Sequence, residues 1–462
     1  MKKILNFLAN NTKLFVGIVI GLLLSVSTVY GASILFQSSV VGYNNINTGF
    51  KDTNGDDVED VQTALDELYT KANSCAIRNV CPAGYAKING SNGEYSCLTA
   101  ESPEVPIRRL NTIGTSIADD DPDGNLRFIG ANPNNYVWFN GQKWRIIGVF
   151  DGKLKIIEDP IGGYSFDTSR NTVNNGYGVN VWGPTTNRSD DSVYEGADLM
   201  KLLNPGYDNN TDLKCKTSVT ITDGVANCGD NSDDAYNTGL VNNSLWWNGG
   251  SGYCYNYGNH QVTSCNFSST GLKSDEARNM IASTRWYLGS NEASINPYDG
   301  RMNASYLYDM ERSDNPGNAC SSGTYCTDGL NRITYWDGKV GLMYPSDYAY
   351  ATGGGTIGRD DCLSYNVGYN SDGSIANWTN TYTDCKNDDW LTPASWSWSL
   401  SPRARSSDSY IVFFVDPSGS VYYNYALGAG SVRPTVYLKS DVKIVGGNGN
   451  INTPFQLYYE ES

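Results

Sequence analysis

The chain has 462 residues, of which 49 are glycine, 33 are tyrosine and only 18% are charged, and its net charge is −16. This negative charge opposes binding to phosphate backbones and anionic headgroups, so nucleic acid is excluded as an expected partner. The single histidine, His260, lies in a loop between two cysteines and removes the commonest general base from most catalytic schemes. Composition therefore favours a binding protein over an enzyme.

The N-terminus has the pattern of an export signal. Lysines precede an uncharged, mostly apolar stretch at residues 14–29, and small residues follow it. We expect residues 1–31 to be a signal peptide that is cleaved. The alternative is an uncleaved membrane anchor, because residues 14–36 carry no charge and are long enough to span a bilayer. In both cases the rest of the chain is expected to be extracellular, at the cell surface or anchored with its domain outside.

Residues 32–73 read as a stalk that contains one amphipathic helix at residues 57–73. A helix of this length is unstable alone, so we expect it to self-associate or, alternatively, to dock on the neighbouring domain. Residues 52–60 alternate carboxylate and amide oxygens as a calcium loop does, but Asp57 and Thr63 stand where that loop needs glycine and glutamate. We therefore expect no cofactor or metal, with calcium at this loop as the alternative.

The cysteine pattern agrees with export, where closely spaced cysteines usually form disulfides. Zinc is the competing interpretation, but it favours Cys-x₂₋₄-Cys pairs, which this sequence lacks. Cys75 has no assigned partner and is expected to be free or to pair with a cysteine of another chain. The cysteines that we assign to disulfides are sequence neighbours: Cys81 and Cys97, Cys215 and Cys228, Cys254 and Cys265, Cys320 and Cys326, and Cys362 and Cys385.

Residues 74–104 form a small cysteine-rich module with a linker, and residues 105–457 have the pattern of one α+β domain with a β-meander. The turns Asn140-Gly141 and Asp151-Gly152 fit the tight hairpin turns that match strand twist. Residues 204–331 are expected to be a long, cysteine-stapled insertion. The predicted strands lie at residues 136–139, 143–150, 153–158, 410–415, 420–425, 432–438 and 442–445.

Two helices are predicted in this domain, at residues 193–203 and 274–288. The second has Ser274 as its N-cap and Gly289 after its end. Residues 119–124, which are rich in aspartate and end in glycine, predict a solvated turn.

Several phrases of the domain are distinctive in wording and order. They are residues 129–141 (IGANPNNYVWFNG), 144–149 (WRIIGV), 339–348 (KVGLMYPSDY), 388–391 (DDWL) and the run from 432 to 447. These phrases resemble a family of uncharacterised exported proteins of gut Firmicutes and their relatives, and residues 61–69 resemble the helix that precedes such domains.

That family's domain is in turn similar to the C-type-lectin-like fold of the formylglycine-generating sulfatase-modifying group. The resemblance implies that the strands at residues 144–146 and 432–434 share the central sheet. The reactive cysteine pair of that group is not carried over, because Cys362 and Cys385 lie far apart and well upstream of Val432. The same fold serves as the variable receptor of diversity-generating retroelements, where the segment corresponding to residues 406–430 is the diversified face.

The candidate ligand-binding residues lie close to the predicted C-terminal strands. They are aromatic residues and arginines, namely Trp396, Trp398, Arg403, Arg405, Tyr410, Tyr422, Tyr423 and Tyr425. Tyrosine offers large rigid contact area at low entropic cost, and aromatic rings beside sparse charge can stack on sugars. The alternative is that alternate residues of these strands are core, including Trp396 with Trp398, Phe413, Val415 and Tyr423. Arg433 is expected to be a hydrogen-bonded structural arginine.

Together these features predict an exported cell-surface binding or adhesion module that recognises a protein or glycan ligand, from host or microbe, through an aromatic loop-built face. One alternative is a surface hydrolase of carbohydrate or peptide, since the fold can bring distant carboxylates together. The adjacent pairs Asp360-Asp361 and Asp388-Asp389 are the visible candidates for that alternative. We assign no catalytic residue, because no nucleophile elbow or phosphate loop occurs in the sequence. Another alternative is a structural surface or fibre component that assembles through the helix at residues 57–73.

Overall fold

The structure is a computed structural model. It describes residues 85–89, 95–111, 117–167, 178–186, 191, 193–206, 245–256, 261–289, 302–314, 329–369, 374–403 and 409–460, with short strand segments between residues 214 and 236. The chain divides into two compact units. The first, Met1–Pro82 with Asn89–Tyr95, lies almost entirely outside the described residues, and the second is Ala83–Ile88 with Ser96–Ser462. The expected signal or anchor, stalk helix and calcium loop all lie outside the described residues, as do His260 and Arg405.

The described part of the chain is a mixed α+β fold that is rich in strands and has few helices. The first half of the strands comprises β1 Tyr85–Asn89, β2 Tyr95–Thr99, β3 Ile117–Ala118, β4 Leu126–Phe128, β5 Tyr136–Phe139, β6 Gln142–Phe150, β7 Lys153–Ile157, β8 Gly163–Ser165, β9 Thr185–Thr186, β10 Val193–Tyr194, β11 Lys214–Cys215, β12 Val219–Thr222 and β13 Val225–Cys228. The second half comprises β14 Ala235–Tyr236, β15 Ser251–Asn256, β16 Gln261–Asn266, β17 Thr284–Tyr287, β18 Tyr335–Gly338, β19 Val340–Gly341, β20 Ser397–Pro402, β21 Ile411–Val415, β22 Val421–Tyr425, β23 Ala429–Ser431, β24 Thr435–Tyr437, β25 Lys443–Gly446 and β26 Phe455–Tyr458.

The helices of the described residues are short. They are α1 Glu104–Asn111, α2 Asp198–Leu203, α3 Asp275–Met280, α4 Ala304–Glu311, α5 Pro345–Ala349, α6 Arg359–Ser364 and α7 Thr383–Asn387. Within the described ranges, none of them has the length and apolar character that a membrane crossing requires.

A nine-stranded sheet forms the centre of the fold. Its order is β19-β24-β7-β6-β5-β26-β25, and β4 pairs with β6 and carries β3. Strand β24, which follows the Val432-Arg433-Pro434 phrase, pairs antiparallel with β7, and β7 pairs antiparallel with β6, which contains Trp144-Arg145-Ile146. The two motif strands therefore lie in one sheet with a single strand between them.

The two hairpins of the β-meander form as the sequence predicts. Asn140 and Gly141 connect β5 to β6 with φ values of +55° and +74°, and Asp151 and Gly152 connect β6 to β7 with +49° and +69°. Positive φ at both turn positions is the geometry of the tight turn that follows the right-handed twist of the strands. Asparagine, aspartate and glycine tolerate this region best, which explains why these dipeptides mark the turns.

A five-stranded sheet, ordered β22-β21-β20-β23-β8, carries four of the eight candidate ligand-binding residues in its strands. Its strand β21 is the continuous apolar run IVFFV, and all five of these residues are buried. A strand that is apolar at every position is expected where both sheet faces are covered. Helix α5 packs on β20 and β21 and supplies part of that cover.

The predicted helix at residues 274–288 is correct at its start and wrong at its end. Ser274 caps α3, and its hydroxyl accepts a hydrogen bond from the Ala277 N–H at 3.1 Å. The helix stops after Met280, and Thr284–Tyr287 form β17, which pairs with β18. The alternating pattern of exposed Tyr287 and buried Trp286 belongs to a strand, and this stretch packs in the core although it falls within the expected insertion.

Two further expected elements are shorter than predicted. Residues 193–203 divide into strand β10 and helix α2, since Gly196 adopts a φ of +96° that a helix interior does not accommodate. The expected strand at residues 432–438 keeps only Thr435–Tyr437, because Pro434 has no N–H to give to a ladder.

The disulfide Cys362–Cys385 is present, as neighbour pairing predicts. Cys97 and Cys265 are also disulfide-bonded. The other predicted pairs involve side chains outside the described part of the chain.

Candidate functional site

The expected aromatic face lies at an edge of the five-stranded sheet. Strand β22 is the outer strand, and its neighbour β21 is buried throughout. Cross-strand pairs join Tyr422 with Phe414 and Tyr423 with Phe413, so successive tyrosines of β22 start on opposite sheet faces. Their rings nevertheless stack at the edge, with centroids 4.6 Å apart. The tyrosines therefore do not lie on one face of the sheet but come together along its edge strand.

Four tyrosines form the accessible part of this edge, and we call Tyr410, Tyr422, Tyr423 and Tyr425 the tyrosine surface. Tyr425 is 43% exposed, and the other three are half-buried. The rings of Tyr410 and Tyr425 lie 5.4 Å apart, and Tyr369 packs edge-on against Tyr422 at 5.4 Å. Mutual contact fixes the rings, so the surface offers ordered apolar area together with phenolic hydroxyls.

The two tryptophans of the predicted set differ in solvent exposure, and the prediction that Trp398 lies on the binding surface is corrected here. Trp398 is buried completely, and its Nε1–H donates to the carbonyl oxygen of Tyr164 at 2.9 Å. Its ring is covered by those of Phe166, Trp396 and Phe414. Trp396 is half-buried and packs on Trp398 and Phe414 at 5.1 and 5.0 Å. Trp398 is therefore core, and Trp396 stands at the border.

Arg403 also has to be corrected, because it is only 2% exposed. Its guanidinium carbon lies 3.7 Å from the centre of the Tyr423 ring. A cation over the face of an aromatic ring attracts it electrostatically. Arg403 thus supports a ring of the tyrosine surface from beneath and does not itself face a ligand.

The sequence interpretation missed a groove beside the β17–β18 ladder. Its volume is about 530 Å³, and its lining residues are Pro184, Arg332, Ile333, Thr334, Tyr335, Trp336 and Asp337. Tyr335 lies opposite Tyr287 in the strand pair, and both rings are exposed. Of these two tyrosines, Tyr287 falls within the helix predicted at residues 274–288, and no strand was predicted around Tyr335.

A charged pair stands next to those two tyrosines. Arg285 Nε lies 3.3 Å from Asp337 Oδ1, and the Arg285 guanidinium covers the Tyr335 ring at 3.8 Å. Aromatic rings beside an exposed ion pair combine a stacking surface with hydrogen-bonding groups. The groove is therefore a second surface able to hold a polar ligand.

The adjacent aspartates at residues 388 and 389 serve the backbone. Asp388 accepts hydrogen bonds from the N–H groups of Ala131 and Gly355 at 2.8 and 3.0 Å. Asp389 accepts from the Leu391 N–H at 2.7 Å, and burial raises its pKa well above the usual range. Both carboxylates therefore bind backbone N–H groups and hold neighbouring chain segments in place. Across the described residues, no group of three or more His, Cys, Asp or Glu side chains is arranged to hold a metal.

A buried ionic cluster lies beneath the central sheet. Asp347 accepts from Lys155 Nζ at 2.5 Å and from Arg127 Nη1 at 3.2 Å, and Arg127 Nε donates to Asp121 at 2.7 Å. All four side chains are buried, so the cluster cannot meet a ligand without rearrangement. Asp121 belongs to the predicted turn at residues 119–124, where a hydrogen bond from the Gly124 N–H to its carbonyl confirms the turn, but its carboxylate is not solvated.

Burial sets the proton affinities of this cluster. It lowers the pKa of Lys155 to about 8 despite the neighbouring Asp347 carboxylate. Burial would raise the pKa of Asp347, but the charges of Lys155 and Arg127 hold it below its usual range. In the same core, burial raises the pKa of Glu311 to about 7.

Arg433 has the hydrogen bond that was predicted for it. It is 7% exposed, and its Nε–H donates to the carbonyl oxygen of Glu158 at 3.3 Å. Burial lowers the pKa of Arg433 to about 10, which leaves the guanidinium charged at neutral pH.

Comparison with known proteins does not extend this description. No protein-family model matches the chain, and neither the curated proteins nor the solved structures compared with it gave a match. What the protein binds must therefore follow from the chemistry of its surfaces.

Proposed function

We propose that this chain is an exported cell-surface protein whose lectin-like domain binds a host, microbial or glycan ligand through the tyrosine surface. One observation carries the proposal. Four tyrosines keep part of their rings accessible at the edge of a sheet whose adjacent strand β21 is buried at every position. Rigid aromatic area on a fixed scaffold is what protein paratopes use, because little conformational entropy is lost on binding.

The contacts beneath the rings support this view. Arg403 holds Tyr423 from below, and Phe414 and Tyr369 pack edge-on against Tyr422. An ordered ring can stack on the apolar face of a sugar while its hydroxyl meets the polar rim. The loss of Trp398 and Arg403 from the accessible set makes the surface smaller than the sequence suggests, but it stays aromatic.

The lectin-like fold is part of the same proposal. It is supported by the position of the motif strands, since β6 and β24 lie in one sheet on either side of β7. A fold of this kind serves many functions, so the ligand class has to be argued from the surface.

The test is binding of the secreted chain to an array of glycans and to surface proteins, compared between the wild type and a Tyr422→Ala/Tyr425→Ala double variant. We expect the double variant to lose at least about tenfold in affinity, the effect of removing roughly 1.5 kcal/mol of aromatic contact. Tyr85→Ala is the matched control, because Tyr85 is 48% exposed on β1, which belongs to a separate two-stranded sheet.

Three outcomes would contradict the proposal. The first is an unchanged affinity in the double variant with unchanged circular dichroism. The second is loss of binding only in Tyr335→Ala, which would move the site to the groove. The third is release of hydrolysis products from a bound glycan or peptide, which would replace a binding module by a hydrolase.

A further inference from the structure

A second set of side chains converges on the nine-stranded sheet. The register pairs Tyr136 with Arg145, Arg145 with Ile157, and Ile157 with Thr435. Pairing continues beyond β7, since the Glu158 N–H donates to the Pro434 carbonyl at 2.9 Å. Because side chains alternate along strands, residues two positions further on return to the same face. Arg433 and Asp159 are those residues, and they therefore join Arg145 on one face.

Arg145 is held rigidly on this face. Its guanidinium carbon lies 4.6 Å from the Tyr136 ring centre and 4.4 Å from that of Trp390. Its Nε–H donates to Asn135 Oδ1 at 2.7 Å, and Asn135 in turn donates to the Ile146 carbonyl at 2.8 Å. The side chain is fixed above, below and at one nitrogen.

Arg145 nevertheless has an unused donor. Its Nη2 atom is buried and has no hydrogen-bond partner. An unpaired buried donor costs free energy, since water no longer solvates it. A ligand oxygen that reaches this nitrogen would remove the cost.

Arg433, on the other side of β7, also has guanidinium nitrogens that could bind a ligand oxygen. Its side chain is nine-tenths buried, and Nε is its one hydrogen-bonded nitrogen. In the described part of the chain, its two terminal nitrogens have no hydrogen-bond partner. Within the described residues, no carboxylate lies within 4 Å of Arg433 or Arg145.

The local charge is positive in an otherwise acidic protein. Asp159 is exposed and acts on both arginines through space without forming an ion pair with either. Glu158 is buried, which raises its pKa well above the usual range and favours its neutral form. Lys143, which pairs with Trp138, lies on the same face, so the three cations outnumber Asp159 and favour an anionic ligand.

We propose that Arg145 and Arg433 bind the carboxylate of a ligand, with the exposed ring of Trp138 beside it as an apolar contact. Guanidinium groups match the planar, two-oxygen geometry of a carboxylate better than any other side chain. Trp138 is 44% exposed, and its alternation with Tyr136 on β5 places it on the same face. This site lies on a different sheet from the tyrosine surface and does not depend on the function proposed for that surface.

The carboxylate can come from an acidic sugar or from the C-terminus of a peptide, and the experiment separates these sources. Calorimetric titrations of the full secreted chain would use a galacturonic acid trimer, its methyl ester, a Gly-Gly-Phe peptide and its C-terminal amide. Binding of the acid trimer assigns the site to acidic sugars, and binding of the free peptide assigns it to peptide C-termini. The ester or the amide should bind at least about tenfold more weakly than its acid, since a charge-assisted pair is lost.

Two variants make the test specific. Arg433→Gln should lose at least about tenfold in affinity for the acid probe, as one arginine fork disappears. Because a buried arginine can also support folding, Asp159→Asn gives an independent measurement at an exposed position. It removes the competing negative charge and should tighten acid binding about threefold or more at low salt, less at high salt.

Lys153→Gln is the matched control, because Lys153 is a partly exposed cation at the opposite end of β7 from Asp159. It should change the affinity by less than about twofold. The proposal is overturned if neither acid binds at millimolar concentration, if ester and acid bind equally, or if Asp159→Asn leaves the affinity of a folded protein unchanged. A loss of glycan binding in the Tyr422→Ala/Tyr425→Ala variant with retained carboxylate binding would separate this site from the tyrosine surface.

Discussion

Lys155 offers a direct test of the buried ionic cluster. Its ammonium group is completely buried, lies 2.5 Å from Asp347, and has Tyr344 and Tyr437 rings at 4.3 and 5.2 Å. Burial lowers the pKa of Lys155 from 10.5 to about 8. In the unfolded chain the group keeps its ordinary value. Between pH 8 and pH 10.5 the unfolded state therefore binds one more proton than the folded state.

The sign of the effect follows from this difference. When the unfolded state binds more protons, the free energy of unfolding rises with pH. The contribution of Lys155 is complete above about pH 10.5 and is lost as the pH falls through about 8. Multiplying 2.5 pH units (10.5 − 8) by about 1.4 kcal/mol per unit gives roughly 3 kcal/mol.

The substitution Lys155→Met removes the titrating group and keeps a side chain of similar length. We would measure guanidinium unfolding of wild type and variant at pH 7.5 and pH 10.5. The difference in unfolding free energy between the two proteins should shift by about 3 kcal/mol in favour of the wild type at the higher pH.

Comparing the two proteins cancels the other groups that titrate in this range. Lys143→Met is the control, since it removes an exposed lysine and should shift the difference by less than about 0.5 kcal/mol. A shift of Lys155→Met no larger than that of the control would refute the pKa assigned to Lys155. A shift of opposite sign would mean that Asp347 stabilises the ammonium more than burial destabilises it.

Three more predictions concern stability. A Cys362→Ser/Cys385→Ser variant should lose about 3 kcal/mol of unfolding free energy, because the disulfide closes a loop of 23 residues, and reductant should then affect the variant less than the wild type. In thermal unfolding, Gly141→Ala should cost about 1 kcal/mol from backbone strain alone, since its added Cβ meets nothing within 4 Å. Gly148→Ala should cost more, because its Cβ would lie 2.2 Å from a backbone oxygen. Equal costs for the two variants would contradict this contrast. Glu311→Gln should flatten the stability profile between pH 4.5 and about 7, where the wild type loses about 3 kcal/mol because the carboxyl ionises in the unfolded chain but stays protonated in the folded protein. Parallel profiles for the two proteins would argue against it.

The sequence predicted those parts of the fold that depend on neighbouring residues. Asn140-Gly141 and Asp151-Gly152 specify their turns locally, because few residue types tolerate positive φ. The cap of α3 at Ser274 and the disulfide between Cys362 and Cys385 are likewise short-range features.

The sequence-based predictions are wrong where contacts between residues far apart in the chain determine the structure. Trp286 and Tyr287 lie in a strand because β18, about fifty residues later, pairs with them. The sequence cannot show that partner, and the apolar spacing also suited a helix. In the same way, Trp398 became core because Tyr164 accepts its N–H and Phe414 covers its ring.

The candidate sites also differ in whether the sequence alone could predict them. Four tyrosines of the predicted set lie near one another at the edge formed by β22, and their role in binding stays a prediction. The arginine pair could not be found from spacing, because Arg145 and Arg433 meet only through the pairing of β6 and β24 with β7. The groove beside Tyr335 was missed because no strand was predicted at residues 335–338 and its partner β17 was predicted to be helical.

The order of the central sheet also governs when this domain can acquire its structure. Strand β24 fills the position between β19 and β7, and β26 lies against β5. A nascent chain that has reached residue 430 still has both of these positions empty. Contacts between such remote segments slow folding, because a long loop must close before any pairing is gained. The central sheet is therefore completed only after the residues of β26 have been synthesised.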